Sequence, residues 1–270
     1  MVGASEGLGA AFAAALAEAG LDLLLVARRP APLDALAHEL RRAHGVAVRA
    51  LAADAGAPGG AEAILRAAGA LDVGLGVLSA AASVQGPFLA LAPEVLERTL
   101  DTNCRAVTVL AHGLLGRLAP RGRGGLVLLT SMAGLQGTAQ VALYAATKAY
   151  VRVLAEGLWA ELRPRGVDVL ACCAGRVRTP TYEASAPGDP GRLAPAPMEP
   201  GAVARAALAA LGRGPVVIPG RANRLAAFLT SRLLPRRTAV SLVSRSTRAM
   251  YPGPAPAGSR RSAPPGGRGG

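Results

Sequence analysis

The sequence predicts an α/β fold: a doubly wound, mostly parallel sheet of seven strands with helices on both faces. Three observations carry that expectation. Short apolar runs alternate with longer segments of helical periodicity through residues 1–219, the order that gives a parallel sheet covered on both sides. Gly-rich or reactive residues recur after the first, third, fourth, fifth and sixth strands, at the carboxyl ends where such sheets bind ligands. With 270 residues and 51% hydrophobic content the chain can bury one sizeable core, filled by Ala, Leu and Val because aromatics make up only 3%.

The opening, MVGASEGLGAAFAAALAEAG, runs from Gly3-x-x-x-Gly7-x-Gly9 into a helix with Leu8, Phe12, Leu16 and Ala19 at helical spacing. Glycines so placed let the backbone turn sharply and approach a pyrophosphate at the helix N-terminus, although in an alanine-rich chain the pattern alone is weak. Only Met1 and Val2 stand where the first strand belongs; the expectation is that this strand begins upstream of Met1, the alternative being an abbreviated strand. LDLLLVARR reads as the second strand. An acidic residue at its end would bind the ribose 2′-hydroxyl of NAD, whereas arginine accommodates the 2′-phosphate of NADP. Ala27-Arg28-Arg29 therefore predicts NADP(H) as the preferred cofactor, with NAD(H) as second choice.

A Leu- and Arg-rich helix over 32–44, ended by Gly45, leads to the third strand VAVRALAAD, which closes on Asp54. A helix near 61–68 and the fourth strand LDVGLGVLSAAAS follow. Residues 93–118 read as one long helix carrying Asn103, and LVLLTS as the fifth strand, ending on Ser131. A helix over 143–162 sets Tyr144, Lys148, Val151, Leu154 and Leu158 on one face; VDVLACCAG and PVVIP are the sixth and seventh strands. The domain is expected to span 1–251. Within it, 179–200 is rich in Pro, Gly and Ala and suits a lid over a substrate. An amphipathic segment over 221–248 is expected to pack on the domain, with cover of the substrate site or weak peripheral membrane contact as lesser readings. The Pro, Gly, Ser and Arg of 252–270 predict a disordered tail.

The net charge of +13 raises nucleic acid as a partner, yet the arginines are spread along the chain and gather late, at Arg236-Arg237 and Arg260-Arg261, without aromatics to stack on bases. No nucleic-acid role is expected. Cys104, Cys172 and Cys173 show neither metal-ligand spacing nor a disulfide framework, so reduced buried thiols and no metal are expected; His38, His44 and His112 are scattered. The N-terminus has no basic region before its glycines, and no uncharged apolar run is long enough to span a bilayer. A soluble cytoplasmic protein is the expectation.

The chemistry concentrates in SMAGLQGTAQVALYAATK, residues 131–148. Lys148 is the only lysine in the chain, four residues after Tyr144. Positions i and i+4 share a helix face, so the ammonium can meet the phenol, favour its ionised form and lower its pKa toward the working range. That would suit the tyrosine to general acid work at neutral pH. The stretch by itself is read equally well as a solvated lysine beside a packed tyrosine.

Taken together, these residues resemble the short-chain dehydrogenase/reductase family, from Met1 to about Tyr251. The family's T-G-x-x-x-G-x-G appears as Val2-Gly3-Ala4-Ser5-Glu6-Gly7-Leu8-Gly9, with Val2 for the usual Thr; its Tyr-x-x-x-Lys falls on Tyr144 and Lys148, its serine on Ser131 and its asparagine on Asn103. Asp54, next to Ala55, matches the aspartate that contacts adenine, and the Pro-Gly motif after the sixth strand appears as Ala174-Gly175-Arg176-Val177-Arg178-Thr179. The Asn-Asn-Ala-Gly segment is replaced by Leu78-Ser79-Ala80-Ala81, which loses both amides and should weaken cofactor binding.

The resemblance implies a Rossmann-type fold and reversible carbonyl–alcohol interconversion. Tyr144 would transfer the proton, Ser131 hold the oxygen, Lys148 depress the tyrosine pKa and grip the nicotinamide ribose, and Asn103 hold a relay water. It implies cofactor contacts at Gly3, Ser5, Glu6, Gly7, Leu8, Gly9, Arg28, Arg29, Asp54, Ala55, Ser79, Ala80, Ala81, Tyr144, Lys148, Gly175, Val177 and Thr179. It suggests a lipophilic ketone or alcohol substrate, 3-oxoacyl or steroid-like, and a homodimer or homotetramer. The competing reading is a nonenzymatic nucleotide-binding scaffold or regulator, favoured by the degenerate 78–81 segment and opposed by the four intact catalytic positions.

Overall fold

The computed structural model describes residues 1–185, 188–189, 191 and 194–252; most of the expected tail, 253–270, and part of the expected lid lie outside the described residues. The opening glycines lead into α1 (Gly7–Glu18), whose buried Phe12, Ala13, Leu16 and Ala17 fall on one face. After β1 (Leu23–Ala27), α2 (Pro30–His44) begins with Pro at its first turn and stops at Gly45, whose φ of 69° supplies the left-handed C-cap. β2 (Val48–Ala52), α3 (Gly60–Gly69) and β3 (Leu75–Leu78) follow.

β3 is much shorter than the thirteen-residue run that suggested it. The amides of Ser79 and Ala80 both donate to the Val2 carbonyl, at 2.8 and 3.1 Å, which ends the ladder and turns the chain. The long helix expected over 93–118 is three pieces: α4 (Pro93–Leu100), a π turn (Asp101–Arg105) and α5 (Ala106–Leu118). The chain continues through β4 (Gly125–Ser131), α6 (Ala142–Leu162) and β5 (Asp168–Ala174) to α7 (Pro180–Ala184), which lies in the expected lid. α8 (Pro200–Ala210), unassigned from the sequence, starts on Pro200 and buries Val203, Ala204 and Ala207. A two-residue β6 (Val216–Val217) precedes the C-terminal segment, which is not one helix but α9 (Arg221–Phe228), a π turn (Leu229–Leu233) and, after Pro235, α10 (Arg236–Met250).

Every strand pairing is parallel. β1 pairs with β2, and β3 to β6 run side by side in order. Val2 bridges to Val26 on one side and Leu78 on the other, so the sheet reads β2–β1–Val2–β3–β4–β5–β6. The expected seven-stranded sheet is thus six strands with a single bridging residue in the first position, because two residues precede the glycine turn. The strand order reverses at Val2, and the crevice at that reversal is where open α/β sheets bind ligands.

Successive side chains of β4 leave the sheet on opposite sides. Leu126 and Leu128 pack with α3, α5 and α6, and Val127 and Leu129 with α1, α2 and α8. These two cores hold the carboxyl ends of the strands in a fixed row.

Candidate active site

Along that row, Ser131 ends β4 directly opposite Ala174, the last residue of β5. Tyr144 and Lys148 face it from the first two turns of α6. All three line one cavity of about 780 Å³, together with Leu8, Ser79, Ala81, Gly175, Val177 and Thr179. The structure therefore brings three of the four expected catalytic residues and six of the other expected cofactor contacts to one space.

Lys148 is buried and tied to β4 twice: its Nζ donates to the Leu129 carbonyl at 2.9 Å, and its own carbonyl accepts from Thr130 Oγ1 at 2.6 Å. Burial brings the ammonium pKa down from 10.5 to about 8, since removal from water disfavours the charged form. The Nζ stands 5.6 Å from the Tyr144 ring centroid. Burial also pushes the Tyr144 phenol above its ordinary value; its hydrogen bond with Ser131 opposes that, and Tyr251 adds to it. The direction is opposite to the lowering by lysine that the sequence suggested, and desolvation is its largest cause. Ser131 Oγ also accepts from the Ala133 amide at 3.1 Å, which fixes the serine at the turn after β4.

Asn103 lies behind this wall, in the π turn between α4 and α5, and is buried. Its Oδ1 accepts from the Ala82 amide at 2.7 Å, and its Nδ2 donates to the Ala82 carbonyl at 2.9 Å and to Thr147 Oγ1 at 3.1 Å. Both amide hydrogens are committed, so the side chain clamps the loop after β3 to α6. The widened turn is what lets a residue of a packed helix reach two elements at once.

The glycine turn sits at the other end of the crevice. Gly3 has φ of 83°, and a Cβ on it would lie 2.4 Å from the Ala80 amide nitrogen; a Cβ on Gly9 would lie 1.7 Å from the Gly3 carbonyl oxygen. Gly7 has φ of 58°, and a Cβ there would press on the Thr179 methyl at 3.0 Å. Only glycine fits these positions, and α1 starts with no side chain capping its first amides. A bare, close-approach helix N-terminus is chemically suited to a phosphate. Together with the contiguous Leu8, Ser79, Ala81, Val177 and Thr179 wall, it fits a dinucleotide.

The remaining expected contacts are placed less directly. Arg29 pairs with Glu6 at 2.6 Å, and Glu6 also accepts from Thr181 Oγ1 at 3.3 Å. Arg28 is exposed and makes no ion pair or hydrogen bond among the described residues. Asp54 accepts from the Gly56 amide at 3.0 Å and pairs with Arg98, so both its oxygens have protein partners. Ala55 is buried in the core. Gly3, Ser5, Glu6, Gly7, Gly9, Arg28, Arg29, Asp54, Ala55, Ala80 and Asn103 do not line the cavity with Tyr144. Cys172 and Cys173 are buried in β5, with thiols pushed up to about 12 by desolvation.

Gly134, Tyr182 and Tyr251 escaped the sequence reading, as did the partners of Arg176 and Thr179. Gly134 packs on α6 so tightly that a Cβ would lie 2.6 Å from the Lys148 carbonyl carbon. Thr179 accepts from the Tyr182 amide and caps α7. Arg176 donates to the Pro195 carbonyl and, at 3.5 Å, to the Tyr182 hydroxyl. Tyr182 and Tyr251 join Tyr144 on the cavity wall, so three of the chain's four tyrosines face it. In a chain so poor in aromatics, that scarcity was an available signal.

A family model described as short chain dehydrogenase matches residues 1–189. A 7beta-hydroxysteroid dehydrogenase of Clostridium sardiniense is 32% identical over 224 residues, covering 83% of this chain and 85% of its own. A very-long-chain 3-oxoacyl-CoA reductase of Podospora anserina is 34% identical over 174 residues, 63% of this chain and 51% of its own. Among solved structures, a short-chain dehydrogenase from Sphingobium yanoikuyae in complex with NADPH superimposes with a TM-score of 0.76 at 34% identity, covering 86% of this chain and 92% of that one.

Proposed function

The chain belongs to the short-chain dehydrogenase family of NAD(P)-binding oxidoreductases, and from that premise we propose that it interconverts a lipophilic ketone and its secondary alcohol with NADP(H) as preferred cofactor. The observation that carries this reading is the convergence of Ser131, Tyr144 and Lys148 on one wall of a cavity whose other walls are largely apolar. The names of the steroid dehydrogenase and 3-oxoacyl-CoA reductase relatives support a steroid-like or 3-oxoacyl substrate.

The cofactor would be held by the glycine turn, the Leu8, Ser79 and Ala81 wall, Val177, Thr179, Tyr144 and Lys148. When bound there, it supplies or accepts the hydride. The chain's own residues handle the proton. In the reductive direction the substrate oxygen lies against Tyr144 and Ser131; the phenol donates its proton to that oxygen while the serine hydroxyl holds it in reach. Burial keeps the phenol protonated at neutral pH, the form that reduction needs. Lys148, pinned by the Leu129 carbonyl and the Thr130 hydroxyl, supplies the adjacent positive charge that eases the departure of that proton. Thr181, Tyr182, Ala194 and Pro195, from the segment expected as a lid, wall the cavity. Arg28, exposed at the carboxyl end of β1 and without an ion pair among the described residues, is the group we assign to the 2′-phosphate, and the charge-compensated Glu6–Arg29 ion pair beside it adds no free carboxylate.

A ketone and alcohol panel with NADPH and NADH tests the reading. Turnover of a steroid-like or 3-oxoacyl ketone with NADPH, reduced at least about a hundredfold in Tyr144→Phe with NADPH binding kept, is the expected result. NADPH binding without oxidation across the panel would establish the scaffold reading instead. Arg28→Glu should raise the KM for NADPH and leave that for NADH nearly unchanged; an equal effect on both refutes the cofactor assignment.

A further inference from the structure

The positive charge of this chain is not evenly distributed. Residues 201–270 carry twelve arginines and no Asp or Glu, whereas residues 1–200 carry eighteen basic and seventeen acidic side chains. Nearly all of the net charge of +13 therefore belongs to the last quarter of the sequence. That same quarter holds α9, its π turn and α10.

The packing of this segment is inverted. α9 turns Asn223 and Ala227 inward, with Thr230 partly buried in the turn that follows. Leu225, Phe228 and Leu233 point outward at 60%, 52% and 60% exposure, and Leu229 and Leu242 are exposed with them. α10 likewise buries Ala239, Ser244 and Thr247. Its Thr247 meets Thr138 hydroxyl to hydroxyl at 2.7 Å, and Ser244 Oγ accepts from the Ala139 amide at 3.1 Å. A surface helix of a water-facing protein puts its large apolar residues inside and its hydroxyls outside. Here the arrangement is reversed, and Arg221, Arg224, Arg232 and Arg237 stand exposed along the apolar stripe.

We propose that this face docks on the surface of a bilayer containing anionic lipid. Outward Leu and Phe side chains at i, i+3, i+4 and i+8 enter the interface, and the flanking guanidinium groups meet lipid phosphates. The charge complementarity is one-sided because no carboxylate lies in 201–252 to oppose it. Residues 253–270, outside the described residues, consist of Gly, Pro, Ala, Ser and Arg, so they bring more positive charge and no large apolar side chain to cover the stripe. Among the described residues no helix is long and apolar enough to cross a membrane, so the contact lies on the surface. Ala226, Thr230 and Leu242 belong both to this segment and to the cavity wall. The docked face is thus the outer side of the substrate cavity, and an apolar substrate dissolved in the bilayer is delivered beside it.

Sedimentation of the full chain with lipid vesicles, at low and at high salt, tests the proposal. At low salt the chain should pellet with phosphatidylcholine vesicles containing phosphatidylglycerol and stay in solution with phosphatidylcholine alone; salt should release it. Phe228→Ser combined with Leu233→Ser, both away from the cavity, should lower the vesicle partition coefficient by about tenfold or more while turnover of a water-soluble ketone stays unchanged. Arg224→Glu with Arg232→Glu should do the same by removing the charge. Failure to pellet, or pelleting that the serine variant leaves intact, overturns the proposal. So does a serine variant whose only change is a smaller oligomer, which assigns the stripe to a second copy, or stronger binding to single-stranded DNA than to the vesicles. Vesicle binding is read without turnover, so a failed redox assay and a failed docking assay remain separate results.

Discussion

Lys148 should be a residue whose removal strengthens the fold while ending its chemistry. Replacing it by Met keeps the length and the apolar stem and deletes the buried ammonium. Burial takes that ammonium from 10.5 to about 8, which at 1.36 kcal/mol per unit means that the charged form costs the folded state about 3 kcal/mol at pH 7. The hydrogen bond from Nζ to the Leu129 carbonyl returns about 1 kcal/mol, so Lys148→Met should stabilise the protein by about 2 kcal/mol, or about 4–8 °C in Tm. The pH dependence has a definite sign. Below pH 8 the folded and unfolded chains both hold the proton and the cost is constant. Between about 8 and 10.5 only the unfolded chain holds it, so wild-type stability rises with pH by this contribution. Above that range both are neutral and the cost is gone. Urea unfolding of both proteins at pH 7 and at pH 10.5 should therefore show the advantage of the variant disappearing, while its turnover is lost at both. A variant less stable than wild type at pH 7, or a difference that does not move with pH, would refute the reasoning.

Three other outcomes follow from the same geometry. With the Tyr144 phenol held above its ordinary value by burial, ketone reduction should stay flat through pH 9 and alcohol oxidation, which needs the phenolate, should still be rising there; pH–rate profiles in both directions check this. Asn103→Leu strands the Ala82 amide and carbonyl, while the Thr147 hydroxyl keeps its bond to the Tyr144 carbonyl, and should cost about 3 kcal/mol in denaturant unfolding. Gly134→Ala forces a Cβ against the α6 backbone at Lys148; kcat should fall by about tenfold to a hundredfold from sub-ångström misplacement, and the clash should lower stability by about 1–3 kcal/mol in denaturant unfolding.

How much of this was legible in the sequence depends on the kind of residue. β4 and β5 could be read directly, because LVLLTS and VDVLACCAG are apolar on both faces and only a central parallel strand is buried that way. The glycine turn was legible too, since Gly3, Gly7 and Gly9 are needed for reasons of volume alone. Asn103 was found by resemblance, but its partners were not: a side chain bonding Ala82 and Thr147 across 21 and 44 residues leaves no local periodicity. The π turn that makes this reach possible has no sequence mark, because it replaces one helical register by another without a proline or glycine. For Tyr144 the pairing with Lys148 was visible and the burial was not, and burial has the larger effect on its proton. The C-terminal segment was expected to pack on the domain, with membrane contact as a lesser reading; a hydrophobic period shows that a stripe exists and says nothing about which way it faces.

The hydroxyl-mediated seat of α10 has a consequence for how the cavity opens. A helix held by Thr138–Thr247 and Ser244–Ala139 bonds exposes little apolar surface when it lifts. Denaturant sensitivity and heat capacity both scale with that surface. Detachment of α10 should then appear in amide exchange as a local fluctuation nearly insensitive to urea, separate from the steep global unfolding of the sheet beneath it. Its rate would follow a straight Arrhenius line, while the core of the same molecule bends away from one.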